Sequence, residues 1–229
     1  MMMNRKAILF DLYDTLIWLD LRESDLWRQQ FAGRIGIPIE QFMDAWRRSV
    51  NDRMLGKGGN LGQQIASTLS GLGIASTDDL IRDLVEIERR RLEHSVKPYP
   101  NAVPVLLQLA SNGYQLGLLS NASDGAAIPL TYLGLDRLFH TLVLSHEVGL
   151  LKPDPAIYHL ACQRLGAEPA ETVFVADGGF GELDSACALG IFAVLIEQPN
   201  QSRDYGYSTR YDAKISDLRE LDALLESAH

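Results

Sequence analysis

Asp11 opens the run Asp11-Leu12-Tyr13-Asp14-Thr15, directly after Ala7-Ile8-Leu9-Phe10. The apolar residues before it read as a short buried strand. A carboxylate at the carboxyl end of such a strand lies where open α/β sheets place their ligands, and it can serve as a nucleophile, a metal ligand or both. Three further segments carry groups of matching chemistry. Leu119-Ser120-Asn121-Ala122-Ser123 offers a hydroxyl and an amide that can donate to an anion, although Ser-Asn is also ordinary turn chemistry. Gly149-Leu150-Leu151-Lys152-Pro153-Asp154-Pro155 sets a fixed positive charge just ahead of a predicted helix. Val175-Ala176-Asp177-Gly178-Gly179-Phe180-Gly181-Glu182-Leu183-Asp184 puts one acid at a strand end and two more in the turn that follows. Crowded carboxylates repel, and a bound Mg²⁺ relieves the repulsion. A helix N-terminus accounts for Glu182 and Asp184 without a metal, but less well for Asp177. The glycines here do not follow the GxGxxG spacing of a dinucleotide turn, and no acidic ribose anchor follows.

These groups need a scaffold that gathers them. Residues 21–35, 39–53, 61–72 and 78–95 carry apolar residues at three- and four-residue spacing, which predicts helices. The 76–79 run supplies an N-cap for the last of these, and Lys97-Pro98-Tyr99-Pro100-Asn101 ends helix formation. From there helices at 102–111, 125–133, 155–165, 182–189 and 216–227 alternate with strands at 115–119, 141–144, 172–176, 192–196 and 212–215. Such alternation predicts a parallel sheet with helices on both faces. The helical block between the first strand and the rest is then an insertion above Asp11.

With 229 residues and 46% hydrophobic content, the chain can bury a full core. A net charge of -9 and no basic stripe argue against nucleic-acid and membrane surfaces as partners. Arg89-Arg90-Arg91, close behind Glu86 and Glu88, reads as a solvated helix face. Cys162 and Cys187 are far apart and outside any CxxC pattern, so buried free thiols in a reducing cytoplasm are expected. Met1-Met2-Met3-Asn4-Arg5-Lys6 runs into the first strand with no apolar leader. The histidines show no paired metal-ligand spacing, and the polar, Tyr-rich stretch 198–211 reads as a surface loop.

Taken in order, the four segments resemble the haloacid dehalogenase-like (HAD) hydrolase superfamily. The resemblance implies an α/β fold: a Rossmann-like core with a central parallel sheet and helices on both faces, at 1–16 and 98–229, plus an all-helical cap domain at 17–97. It implies Asp11 as the nucleophile of a covalent aspartyl intermediate. Thr15, Ser120, Asn121 and Lys152 fall where the transferring group is bound and neutralised. Asp11, Asp177, Glu182 and the backbone carbonyl of Tyr13 fall where Mg²⁺ is held in the superfamily's phosphatases. A small phosphorylated metabolite is the implied substrate. Phosphoryl transfer asks mainly for in-line positioning and charge neutralisation, which these groups can supply.

Two positions depart from that pattern. Phosphatases of this superfamily carry an acid–base Asp two residues after the nucleophile, where this chain has Tyr13. Loss of a general acid–base costs about 10²–10⁴ in rate. Tyr at that position resembles the 2-haloacid dehalogenases, whose halide leaves without a proton. Asp177 points the other way, because dehalogenases carry a small polar residue there and use no metal. A weakened member that binds a phosphorylated ligand is a third expectation. Asp14, in place of the usual Gly, reads as structural. Trp18, Asp20, Arg22, Trp27 and Arg28 are candidates to meet substrate from the insert.

Overall fold

A computed structural model of the chain describes residues 5–199, 201 and 206–227. The expectations for the leader at 1–4, and for 200 and 202–205 of the polar loop, lie outside the described residues. Among the described residues there are eight strands: β1 Ala7–Phe10, β2 Ile17–Leu19, β3 Val96–Pro98, β4 Gln115–Ser120, β5 Thr141–Leu144, β6 Thr172–Ala176, β7 Phe192–Ile196 and β8 Ala213–Ile215. Six of them form one sheet in the order β5-β4-β1-β6-β7-β8, and every pair is parallel. β1 therefore lies inside the sheet, and all four of its residues are buried. Successive side chains point to opposite faces. Ile8 and Phe10 join one hydrophobic cluster, and Ala7 and Leu9 join a second on the other face. Helices α6 Ala102–Ser111 and α11 Glu220–Ser227 contribute to the first cluster, α9 Pro155–Leu165 and α10 Glu182–Ala188 to the second. The expected central parallel sheet with helices on both faces is thus what forms.

Between β2 and β3 the chain is helical: α1 Leu21–Ile35, α2 Ile39–Arg48, α3 Val50–Met54, α4 Leu61–Gly71 and α5 Asp78–Ser95. These helices bury a cluster of their own, including Phe31, Phe42, Ile65, Leu69 and Leu84. Asp20 caps α1, Asn60 and Gln63 form a capping box on α4, and Thr77 caps α5. The two crossings between sheet and helices are paired with each other. Ile17 lies opposite Pro98, and Leu19 opposite Val96, in an antiparallel ribbon that periodicity did not reveal.

Four sequence expectations are corrected. The helix at 39–53 breaks at Ser49, whose hydroxyl turns back to the Trp46 carbonyl and also meets the Arg53 guanidinium. The segment at 125–133 begins as a 3-10 turn before α7 Ala127–Tyr132. The last helix starts at Glu220 instead of 216, because the Glu220 carboxylate accepts from the backbone N–H groups of Ser216 and Asp217. Cys162 is buried but Cys187 only partly so, and both are free.

Candidate active site

The register of the sheet assembles the site. Phe10 pairs with Leu118 on one side and Val175 on the other. Asp11, Ser120 and Asp177 consequently emerge at the carboxyl ends of three neighbouring strands. The Asp11 backbone N–H still donates to the Val175 carbonyl at 3.0 Å, which fixes the backbone beneath its side chain. Asp14 adopts a positive φ of 59°, a conformation Asp tolerates and Gly favours, so its structural reading fits the turn.

Lys152 is the centre of the arrangement. It is buried, with its ammonium 2.5 Å from an Asp11 oxygen and 2.5 Å from a Glu182 oxygen. Burial works against its charge, but the two carboxylates outweigh that and raise its pKa. The Phe174 ring lies beneath the ammonium at 5.3 Å. Asn121 holds the Lys152 backbone at both ends, donating to its carbonyl and accepting from its N–H, each at 2.8 Å. Its amide is therefore engaged in placing the lysine. Thr15 donates to the second Asp11 oxygen at 3.5 Å, and Ser120 is buried at the end of the neighbouring strand β4.

The acids outnumber the cation. Asp11, Asp177 and Glu182 bring ligand oxygens within 4.8 Å of one another, the one such group of His, Cys, Asp and Glu among the described residues. Burial first, then the charges of Asp11 and Asp177, push the Glu182 carboxyl up to about 8. Burial and the charge of Asp11 likewise raise Asp177. Gly178 donates to Glu182 and Gly179 to Asp177, both at 3.2 Å. Three crowded carboxylates facing one lysine form an all-oxygen donor set with excess negative charge, which fits a hard divalent cation.

Tyr13 does not bring a carboxylate to this cluster. Its phenol is pushed up to about 12, by burial first, and it lies within electrostatic reach of Arg91, Glu88 and Asp11. Arg91 corrects the expectation of a wholly solvated arginine run. Arg89 and Arg90 pair with Glu86 on the exposed side, but the Arg91 side chain is 14% exposed and turned inward. It holds both Glu88 oxygens at 2.6 Å and donates to Ser24 at 3.0 Å. Of the other candidates, Trp18 lies in β2, Asp20 caps α1, Arg22 is exposed, Trp27 stacks on His94 and Arg28 pairs with Asp25. Sequence reasoning missed Tyr158, whose hydroxyl donates to the Glu182 carbonyl at 2.8 Å, because a lone Tyr in a helix carries no signal of it.

This constellation, on this sheet, is that of the haloacid dehalogenase-like hydrolases, and the chain belongs to that family, which matches residues 5–189. Its relatives include both phosphatases and haloacid dehalogenases. It is 29% identical to a glyceraldehyde 3-phosphate phosphatase of Methanopyrus kandleri over 199 residues, 84% of each chain. It is 27% identical to an (S)-2-haloacid dehalogenase of Pseudomonas sp. over 228 residues, 96% of each. A HAD phosphatase crystal structure from Thermococcus onnurineus superposes with a TM-score of 0.68 at 25% identity, covering 96% of this chain and 97% of that one. The protein is a hydrolase of this family.

Proposed function

We propose that the chain is a Mg²⁺-dependent phosphohydrolase acting on a small phosphorylated metabolite through an aspartyl-phosphate on Asp11. The observation that carries this reading is the Asp11, Asp177 and Glu182 cluster set against a single buried lysine. In this reading Asp11, Asp177, Glu182 and the Tyr13 backbone carbonyl hold the metal, which supplies Lewis-acid neutralisation of phosphoryl oxygens when bound. Asp11 attacks phosphorus. Lys152 keeps Asp11 oriented and, with Thr15 and Ser120, meets the charge of the transferring group. Asn121 keeps the Lys152 backbone in register with β4. Residues 17–97 act as a cap domain over a core formed by 1–16 and 98–229. The free thiols suit the cytoplasm. Nothing in the charge pattern favours nucleic acid or membrane, and no helix among the described residues is long and apolar enough to cross a membrane.

Tyr13 favours a second reading, a 2-haloacid dehalogenase in which Asp11 displaces halide and no proton is delivered. The two separate in one assay series. Hydrolysis of p-nitrophenyl phosphate that needs Mg²⁺, stops with EDTA and is absent from Asp11→Asn supports the phosphohydrolase. Chloride release from 2-chloropropionate that is indifferent to EDTA supports the dehalogenase and overturns the first reading.

A further inference from the structure

α10 opens without a cap of its own. The first N–H groups of a helix have no partner within it, and a side-chain oxygen just ahead commonly accepts from one of them. Here that position is Gly181, in the left-handed region at φ 72°, with no side chain to offer. The acceptor comes from 25 residues beyond Leu183: the hydroxyl of Ser208, in the connection between β7 and β8, accepts from the Leu183 N–H at 2.9 Å. The Ser208 backbone N–H in turn donates to the Gly178 carbonyl at 2.7 Å, and Gly179 pairs with Tyr207 in a short antiparallel bridge. These two bonds of Ser208 flank both acids of the turn, since Gly178 follows Asp177 and Leu183 follows Glu182.

The peptide between Glu182 and Leu183 is thus held at both ends from outside α10. The Tyr158 hydroxyl of α9 donates to its carbonyl at 2.8 Å, and Ser208 takes its N–H. A side chain turns with the peptide that carries it, so fixing this peptide fixes the direction of the Glu182 carboxylate, which lies 2.5 Å from the Lys152 ammonium. The start of the same connection holds the turn after Asp11. Gln201 donates to the Asp14 carbonyl at 2.8 Å, and Gln198 to the Thr15 carbonyl at 3.2 Å. We propose that Ser208 is a positioning residue of this site, which sets Asp177 and Glu182 against each other by capping α10 from outside. This rests on the reading in which the two acids help to hold Mg²⁺. Both bonds are to backbone groups, so Ser208 acts through the acids it places and not on the reacting atoms. Partners of this outer kind are worth about 10–100-fold in metal affinity. The neighbouring residues have a separate anchor: Asp184, outside the acid cluster, accepts from the Thr209 hydroxyl at 3.0 Å and from the backbone N–H groups of Thr209 and Arg210.

The test is a Mg²⁺ titration of the full chain at pH 8, followed by the rise in Tm without substrate and by hydrolysis of p-nitrophenyl phosphate. Ser208→Ala should need about tenfold more Mg²⁺ for the same rise in Tm and for half-maximal hydrolysis. Its KM for p-nitrophenyl phosphate at saturating Mg²⁺ should not move, which a general loosening of the site would not spare. Ser208→Thr keeps the acceptor and should stay near the parent. Ser208→Val has nearly the same shape as threonine without the hydroxyl and should need as much extra Mg²⁺ as Ser208→Ala, so this pair decides the question even where the alanine variant does not fold. Thr209→Ala loosens the same segment at Asp184 and should leave the Mg²⁺ requirement as it is. An unchanged requirement in Ser208→Ala, equal requirements in Ser208→Thr and Ser208→Val, or a shift in Thr209→Ala as large as that in Ser208→Ala overturns the positioning role while leaving a metal-dependent enzyme. A parent whose Tm and hydrolysis both ignore Mg²⁺ overturns the phosphohydrolase reading, and the role of Ser208 falls with it.

Discussion

One buried ammonium serves two buried acids in this site, and a third acid, Asp177, stands beside them with no ion pair of its own among the described residues. That imbalance makes the metal-free protein sensitive to pH. The Glu182 carboxyl holds its proton up to about 8 in the fold, against an ordinary value of 4.5 in the unfolded chain. Between those values the folded state binds the extra proton, so stability falls as pH rises through the window. Asp177, also raised, acts with the same sign. Lys152 is raised as well, but its contribution is fully present below its ordinary pKa and does not vary over this range. Each pH unit of such a gap is worth about 1.4 kcal/mol. Urea unfolding in EDTA should therefore show a loss on the order of 2–4 kcal/mol between pH 5 and 8. A flat or rising profile would mean that Glu182 is already ionised at pH 5. A second expectation concerns the residue that replaces the usual acid–base. Tyr13→Asp should raise kcat for alkyl phosphates about tenfold or more, with a smaller effect on acetyl phosphate, whose leaving group needs no proton. Unchanged alkyl turnover would show that another group delivers the proton.

At the scale of elements, the insert must be held in a fixed relation to the strand ends, and Ser145 at the start of α8 Ser145–Val148 supplies a joint. Its buried hydroxyl donates to the Met54 carbonyl at the end of α3 at 2.7 Å and accepts from the Ala122 N–H after β4 at 2.9 Å. Ser145→Ala leaves both backbone groups without that partner and should cost about 1–3 kcal/mol of stability. If the joint also positions the insert, kcat/KM falls by more than the loss of folded protein explains, as active-site titration would show. Nothing in the sequence singles out Ser145, and the reason is physical: its two partners lie 91 and 23 residues away and are backbone atoms. What periodicity could reveal was the elements with strong apolar patterns, such as α1, α5, β5, β6 and α9, whose bounds match expectation. It could not reveal β2 and β3, three residues each, whose pairing is set by closing a 76-residue excursion. Nor could it place the break at Ser49, which depends on side-chain bonds to Trp46 and Arg53. Asp11, Ser120, Lys152 and Asp177 were legible because each follows a buried strand or precedes a capped helix. The inward turn of Arg91 was not, because a triple arginine run looks alike from every side of a helix.

At the scale of the whole molecule, the three acids come from two segments that the sheet brings side by side: Asp11 after β1, and Asp177 and Glu182 in the turn between β6 and α10. Folding has to bring them together against their own repulsion, within a chain whose net charge is already -9. A cation bound to the folded state alone stabilises that state by mass action, about 2.7 kcal/mol when its concentration is 100 times its Kd. For a chain of this length that corresponds to a rise in Tm of roughly 5–10 °C. Mg²⁺ is therefore expected to raise Tm at pH 8, where the acids are least protonated, and to do less at pH 5. Asp177→Asn separates this linkage from general salt effects. The variant removes one repelling charge, so its Tm in EDTA should equal or exceed that of the parent, yet the further rise with Mg²⁺ should largely disappear. Sodium chloride at matched ionic strength should not reproduce the parent's shift, because screening is weak for buried groups. A parent protein whose Tm ignores Mg²⁺ at both pH values would show that the cluster relieves its repulsion by holding protons instead of a metal, and would move the balance of the two chemistries toward the metal-free displacement that Tyr13 already suits.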